Sequence, residues 1–163
     1  MRQFHNNFIK NESNIFKEIV LRVPNDFINE NAAIEKLVKM QHYGLPTRLL
    51  DITSNPLVAL FFACNEFSDK DGEVIIFKIP KDEIKFYDSD TVSILANLAK
   101  RPSTFDISKI QGLSKEKFNK DEEIGYLLHE IRTEKPHFLP IINSSDLSKV
   151  IPVKVKPKLL IRK

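Results

Sequence analysis

Residues Pro56 to Cys64, PLVALFFAC, run for nine positions without a charged or hydrogen-bonding side chain other than the terminal thiol, and no other stretch constrains the chain as much. A helix built from them is apolar all round, so it is expected to be buried on most of its sides. The run falls well short of the roughly 20 residues that a membrane span requires, so the protein's own core has to cover it. Its start is marked: Ser54 or Asn55 can cap the helix, and Pro56 suits the first turn, where a missing N–H is harmless. Cys64 at its end is expected to act as a small buried hydrophobe.

The approach to this helix is also closely punctuated. A preceding helix from about Ala32 to Tyr43 would turn Ile34, Leu37, Val38 and Met40 inward, with Asn31 as its N-cap. Gly44 fits the left-handed position just past that helix, and Pro46 keeps it from resuming. Arg48 and Asp51 stand near enough in sequence to form a pair that clamps the corner. Further elements follow from spacing. A first helix is expected over Glu12 to Arg22, with Ile15, Phe16, Ile19, Val20 and Val23 in one stripe and Pro24 as its stop. Strands are expected at EVIIFKIP (Glu73 to Pro80) and IKFYD, and a helix over Thr91 to Lys100. Ile124, Leu127, Leu128 and Ile131 recur at helical spacing within residues 115–134, and two strands, Val150 to Lys156 and Leu159 to Arg162, finish the chain. Helices dominate the N-terminal half and strands cluster later, which predicts an α+β fold with a small, mainly antiparallel sheet, in one domain spanning residues 1–163.

Composition excludes several classes. With one cysteine there is no internal disulfide and no cysteine-rich zinc site. His5, His42, His129 and His137 are too dispersed to spell a metal motif, and Thr133 stands where zinc-protease spacing after His129 would need a second histidine. Met1 to Lys10 lacks the apolar core of a signal peptide, so a cytoplasmic location with no membrane partner is expected. The net charge is +3, and the excess lies at the end, in Lys149, Lys154, Lys156, Lys158, Arg162 and Lys163. These alternate with Val153, Val155, Leu159 and Ile161, as in a strand with one wet face. Nucleic-acid binding through this strand is the lesser reading, because no aromatic residues interleave to stack bases. Left unpaired, the strand would be an exposed edge through which two copies could dimerise.

The corner itself supports two readings. In the first, Gly44 and Pro46 shape it, Arg48 and Asp51 clamp it, and Leu45, Leu49 and Leu50 fill the core. In the second, Arg48 holds a phosphate or carboxylate with its fork of donors, and the free amides at Asn55 to Leu57 assist. His42 and Tyr43 then stack on a base or carry protons. Spacing assigns no nucleophile, base and orienting acid, so no catalytic residue is named.

The string MQHYGLPTRLLDITSNPLVALFFAC resembles the signature segment of the FRG domain, a family of bacterial and phage proteins named for a Phe-Arg-Gly motif. Looser likenesses extend to NESNIFKEIVLRVPNDF, with Glu12 as its acid, to DGEVIIF, and to EKPHF around Glu134, Pro136 and Phe138. The family's Phe-Arg-Gly motif is missing from MRQFHNNF, and its C-terminal Gln-x-Gly-x-Phe strand is missing after KPKLLIRK. By the resemblance the chain is a central piece of the domain without its outermost motifs. The resemblance implies an ADP-ribosyltransferase-like domain that binds NAD or another nucleotide, with a site left incomplete here. His42, Tyr43, Thr47 and Arg48 are the candidate cofactor-binding residues. The alternative, from a different class, is a non-catalytic interaction module in which the corner is architectural.

Overall fold

The computed structural model describes residues 6–67, 69–148 and 153–154. Helix α1 spans Asn6–Arg22 and begins earlier than its apolar stripe predicts. Pro24 lacks the N–H that would continue it, yet suits the first turn of a new helix, and α2 spans Pro24–Phe27. Helix α3 covers Ala33–His42. Ala32, rather than Asn31, is its N-cap, and the Glu35 carboxylate reaches back to accept from the amides of Asn31 at 2.9 Å and Ala32 at 3.0 Å. Helix α4 covers Pro56–Cys64, capped by the Asn55 side chain, which accepts from Leu57 N at 3.0 Å.

Helix α5, Asp90–Asn97, continues as a 3-10 turn over Leu98–Lys100. Ser89 caps it, since the Ser89 hydroxyl accepts from Val92 N. Helices α6, Lys115–Asn119, and α7, Glu122–Glu134, complete the helical set among the described residues. All four apolar positions expected to line one face of α7 are buried.

Two apolar clusters form the core, and α5 sits between them. Val92 and Ala96 of α5 join Phe16 of α1, Phe27 of α2 and the buried face of α3. Ile94 of α5 joins Phe118 of α6, the α7 stripe, Phe138 and Ile142. A helix that shows apolar residues to both sides couples the two halves, so loosening α5 would loosen both.

The α+β expectation is overturned, because the fold is mostly helical. Among the described residues β structure is limited to β1, Lys85–Phe86, and β2, Val153–Lys154. They pair in parallel, Lys85 with Val153 and Phe86 with Lys154, where a mainly antiparallel sheet was expected. Residues 73–80 form no strand. Their composition suits a strand, but a strand also needs a neighbour to complete its hydrogen-bond ladder, and an apolar run says nothing about where that neighbour lies. The expected strands over residues 150–156 and 159–162 lie outside the described residues apart from Val153–Lys154. So does most of the basic tail, on which the nucleic-acid and edge-dimer readings depend.

The apolar helix also departs from expectation. It contributes to neither cluster, and none of its residues is buried. Leu57 is 73% exposed, Phe61 60%, and Cys64 is exposed as well. Amphipathic helices carry their own burial instruction in their spacing, whereas a uniformly apolar helix specifies no face.

Candidate functional site

The corner between α3 and α4 is built by its backbone. Gly44 has φ 79°, the left-handed conformation expected of it. Gly44 N donates to Gln41 O at 2.9 Å and Leu45 N to Met40 O at 3.0 Å, which is the Schellman pattern of helix termination. Leu45 and Leu49 then pack against the α3 cluster, which includes Met40. Thr47 is buried, and its hydroxyl accepts from Leu49 N at 3.3 Å.

Arg48 does not pair with Asp51. Its Nε donates to Glu12 Oε1 at 3.0 Å and its Nη2 to Glu12 Oε2 at 2.5 Å, while Nη1 reaches the carbonyl of Leu95 at 3.3 Å. One side chain therefore ties the corner to α1 and α5 together. Asp51 instead accepts from Gln41 Nε2 at 3.0 Å, closing the corner on itself. The sequence contained Glu12 and Arg48 but no local signal that joined them, because the pair bridges 36 positions.

The remaining candidates are dispersed in role. Tyr43 is exposed and donates its hydroxyl proton to Asp26 Oδ2 at 2.5 Å. That hydrogen bond chiefly, with smaller contributions from desolvation and the charges of Asp26 and Glu30, holds the tyrosine pKa above its ordinary value. The hydroxyl thus stays protonated at neutral pH, which does not suit a proton carrier. Its ring packs at a tilt against Phe27, with centroids 6.3 Å apart. His42 is exposed at the last residue of α3. Two clefts lie elsewhere. One of about 330 Å³ is lined by Leu113, Phe118 and Asn143, and one of about 580 Å³ by Asp121, Tyr126 and His129. Neither cleft is lined by His42, Tyr43, Thr47 or Arg48.

Residues 1–72 match the family model of the FRG domain, an interval that holds α1 to α4 and the whole corner. These residues belong to the FRG domain family. No curated protein and no solved structure matches the chain. The FRG match ends at Gly72, where the chain folds back on α4: a Cβ at Gly72 would fall 2.2 Å from the carbonyl oxygen of Ala63. Only glycine allows the backbone to approach the end of α4 in this way.

A second polar centre sits on the opposite end of α3 and was missed as a structural element. Glu134 of α7 accepts from Ala33 N at 2.8 Å, from Asn97 Nδ2 at 2.7 Å and from Lys100 Nζ at 3.3 Å. The FRG-like segment thereby rests on α7 as well as on α5. Among the described residues no three or more His, Cys, Asp or Glu side chains gather as a metal site would require, and no helix is long and apolar enough to cross a membrane.

Proposed function

We propose that this FRG-domain protein is a non-catalytic interaction module, in which the signature corner is a clamp and the apolar face of α4 is the working surface. The occupied guanidinium of Arg48 carries the reading. Its fork already holds a carboxylate, that of Glu12, in the two-pronged way it would hold a phosphate. A nucleotide would have to displace Glu12 and leave that carboxylate, only 21% exposed, without its partner. The expectation of an NAD-binding, ADP-ribosyltransferase-like site at His42, Tyr43, Thr47 and Arg48 gains no support from this arrangement.

The surface has a definite chemistry. Leu57, Leu60, Phe61 and Cys64 follow at i, i+3, i+4 and i+7 on one side of α4, and all are exposed. Val74, Ile75, Ile76 and Phe77, just past the Gly72 contact, are exposed too. Soluble chains rarely leave such a patch open unless it meets something. Between its two halves run Glu66, Asp69, Asp71 and Glu73, with Lys70 the one basic residue of that turn. The fitting occupant is a short apolar segment flanked by lysine or arginine.

Thermal unfolding with and without millimolar NAD tests the clamp. The wild-type Tm is expected to be indifferent to NAD, and Arg48→Lys to lower it in both conditions alike. An NAD-dependent rise in the wild type that Arg48→Lys abolishes would overturn the reading.

A further inference from the structure

We infer that a second copy of this chain covers residues 74–77, pairing through residues 73–79 as an antiparallel ladder about a twofold axis. This names the partner for one half of the patch in the interaction-module reading, on which it rests, and leaves α4 the occupant given there. The composition of the stretch asks for a ladder, since Val74, Ile75, Ile76 and Phe77 are β-branched or aromatic. Yet residues 73–80 form no strand, and among the described residues no backbone hydrogen bond is made by residues 73–79. Residues 73–78 are all exposed, Ile76 at 89%, so the stretch is open to an incoming chain.

The stretch suits its own copy. Facing residues in an antiparallel ladder share a side of it, so in a symmetric pair one residue faces itself. Centred on Ile76, the pairing sets Ile76 against its own copy, Ile75 against Phe77, and Val74 against the aliphatic stem of Lys78. Ile75 and Phe77 of both copies then form one continuous apolar side. Asp71 comes opposite Lys81 of the second copy, and the symmetry repeats this, so opposite charges close both ends. A centre at Phe77 instead sets Asp71 against Glu83, a like-charge pair, and one at Ile75 sets it against Ile79. Pro80, which has no N–H to give, falls at the margin of the ladder.

A ladder of two short strands is marginal alone, so the dimer is expected to be weak and reversible. Sedimentation velocity from ~2 to ~500 μM protein tests it. The expected result is a shift from monomer to dimer over that range, with concentration-dependent slowing of amide exchange at residues 74–78. Ile76→Asp changes a side chain that the monomer leaves exposed. It should hold the protein monomeric at ~500 μM with unchanged helical circular dichroism. Asp71→Lys and Lys81→Asp should each weaken the dimer several-fold at low salt, and the two together should restore it. Should Ile76→Asp unfold the protein, this charge exchange decides alone. A wild type that stays monomeric throughout overturns the inference while leaving the NAD test of the module untouched. A dimer that survives Ile76→Asp overturns it in favour of another face, and so does one that the charge exchange leaves unmoved or unrestored. Species that grow beyond the dimer overturn it in favour of an open-ended stack.

Discussion

Arg48 holds Glu12 through two hydrogen bonds, Nε to Oε1 at 3.0 Å and Nη2 to Oε2 at 2.5 Å, while its third arm reaches the Leu95 carbonyl. The pair is partly buried, with side chains 31% and 21% exposed, so it lies between the weak surface bridge and the costly buried one. A charge-assisted bond of this kind contributes about 1.5–3 kcal/mol. Arg48→Ala is expected to lower unfolding free energy by about 2–3 kcal/mol, and a double-mutant cycle with Glu12→Ala to give a coupling of about 1–2 kcal/mol. Urea unfolding of the four proteins measures both. A coupling indistinguishable from zero would mean that the clamp does not hold α1 to the corner.

Gly44 predicts a second cost. At φ 79° a Cβ strains the backbone, and both hydrogen bonds of the Schellman turn depend on that conformation. Gly44→Ala should therefore destabilise by about 1–2 kcal/mol, and Gly44→Asn by less, because asparagine visits this region more readily. Equal midpoints for glycine and alanine in chemical denaturation would contradict the assignment of the turn.

The elements that could be foreseen are those whose signal is local. Gly44, the Asn55 cap with Pro56 behind it, and the stripe of Ile124, Leu127, Leu128 and Ile131 each rest on residues within two turns of one another, and each has its expected place. The failures are non-local. Nothing near Arg48 announced Glu12, and Asp51 was the nearer partner on paper. EVIIFKIP has the residues of a strand, but pairing is a property of two segments, and among the described residues only Lys85–Phe86 and Val153–Lys154 pair. For α4 the composition stated that a cover is needed without stating which. Of the candidate site, the corner's shape was legible and its ion pair was not.

Glu130 makes stability depend on pH. Its side chain is 24% exposed and its Oε2 is buried without a hydrogen-bond partner, with Arg101 Nη1 at 3.6 Å from Oε1. Burial raises its pKa, and the opposing charges of Arg101 and Lys100 do not fully offset this. A raised folded value means the native state holds the proton more tightly than the unfolded chain does. That contribution is fully present below the ordinary glutamate value of about 4.3 and is lost as pH rises through the higher folded value. Glu130→Gln keeps the shape without the charge, and Arg101 retains Glu123 at 2.8 Å. The variant should match the wild type at pH 3 and unfold at a higher temperature at pH 7. A Tm below wild type at pH 7 would show that the Arg101 pair outweighs desolvation.

Glu134 joins three donors from three separate places in the fold. Its side chain is 7% exposed, and its two oxygens take a helix-terminal amide from Ala33, the fully buried amide of Asn97 and the ammonium of Lys100. Removing the carboxylate leaves all three donors short of an acceptor, two of them where water is scarce. Glu134→Ala is therefore expected to destabilise by about 3–5 kcal/mol, the range for breaking one side of a buried pair. Glu134→Gln restores one oxygen but turns an NH₂ toward a donor, so about half that loss should remain. Because Glu134 secures the first turn of α3 and the corner secures its last, the two perturbations should differ in place. Hydrogen exchange is expected to quicken first near Ala33 in Glu134→Gln and near Tyr43 to Leu45 in Gly44→Ala. Uniform acceleration along α3 in both variants would mean that the helix opens as one unit, with neither end held independently.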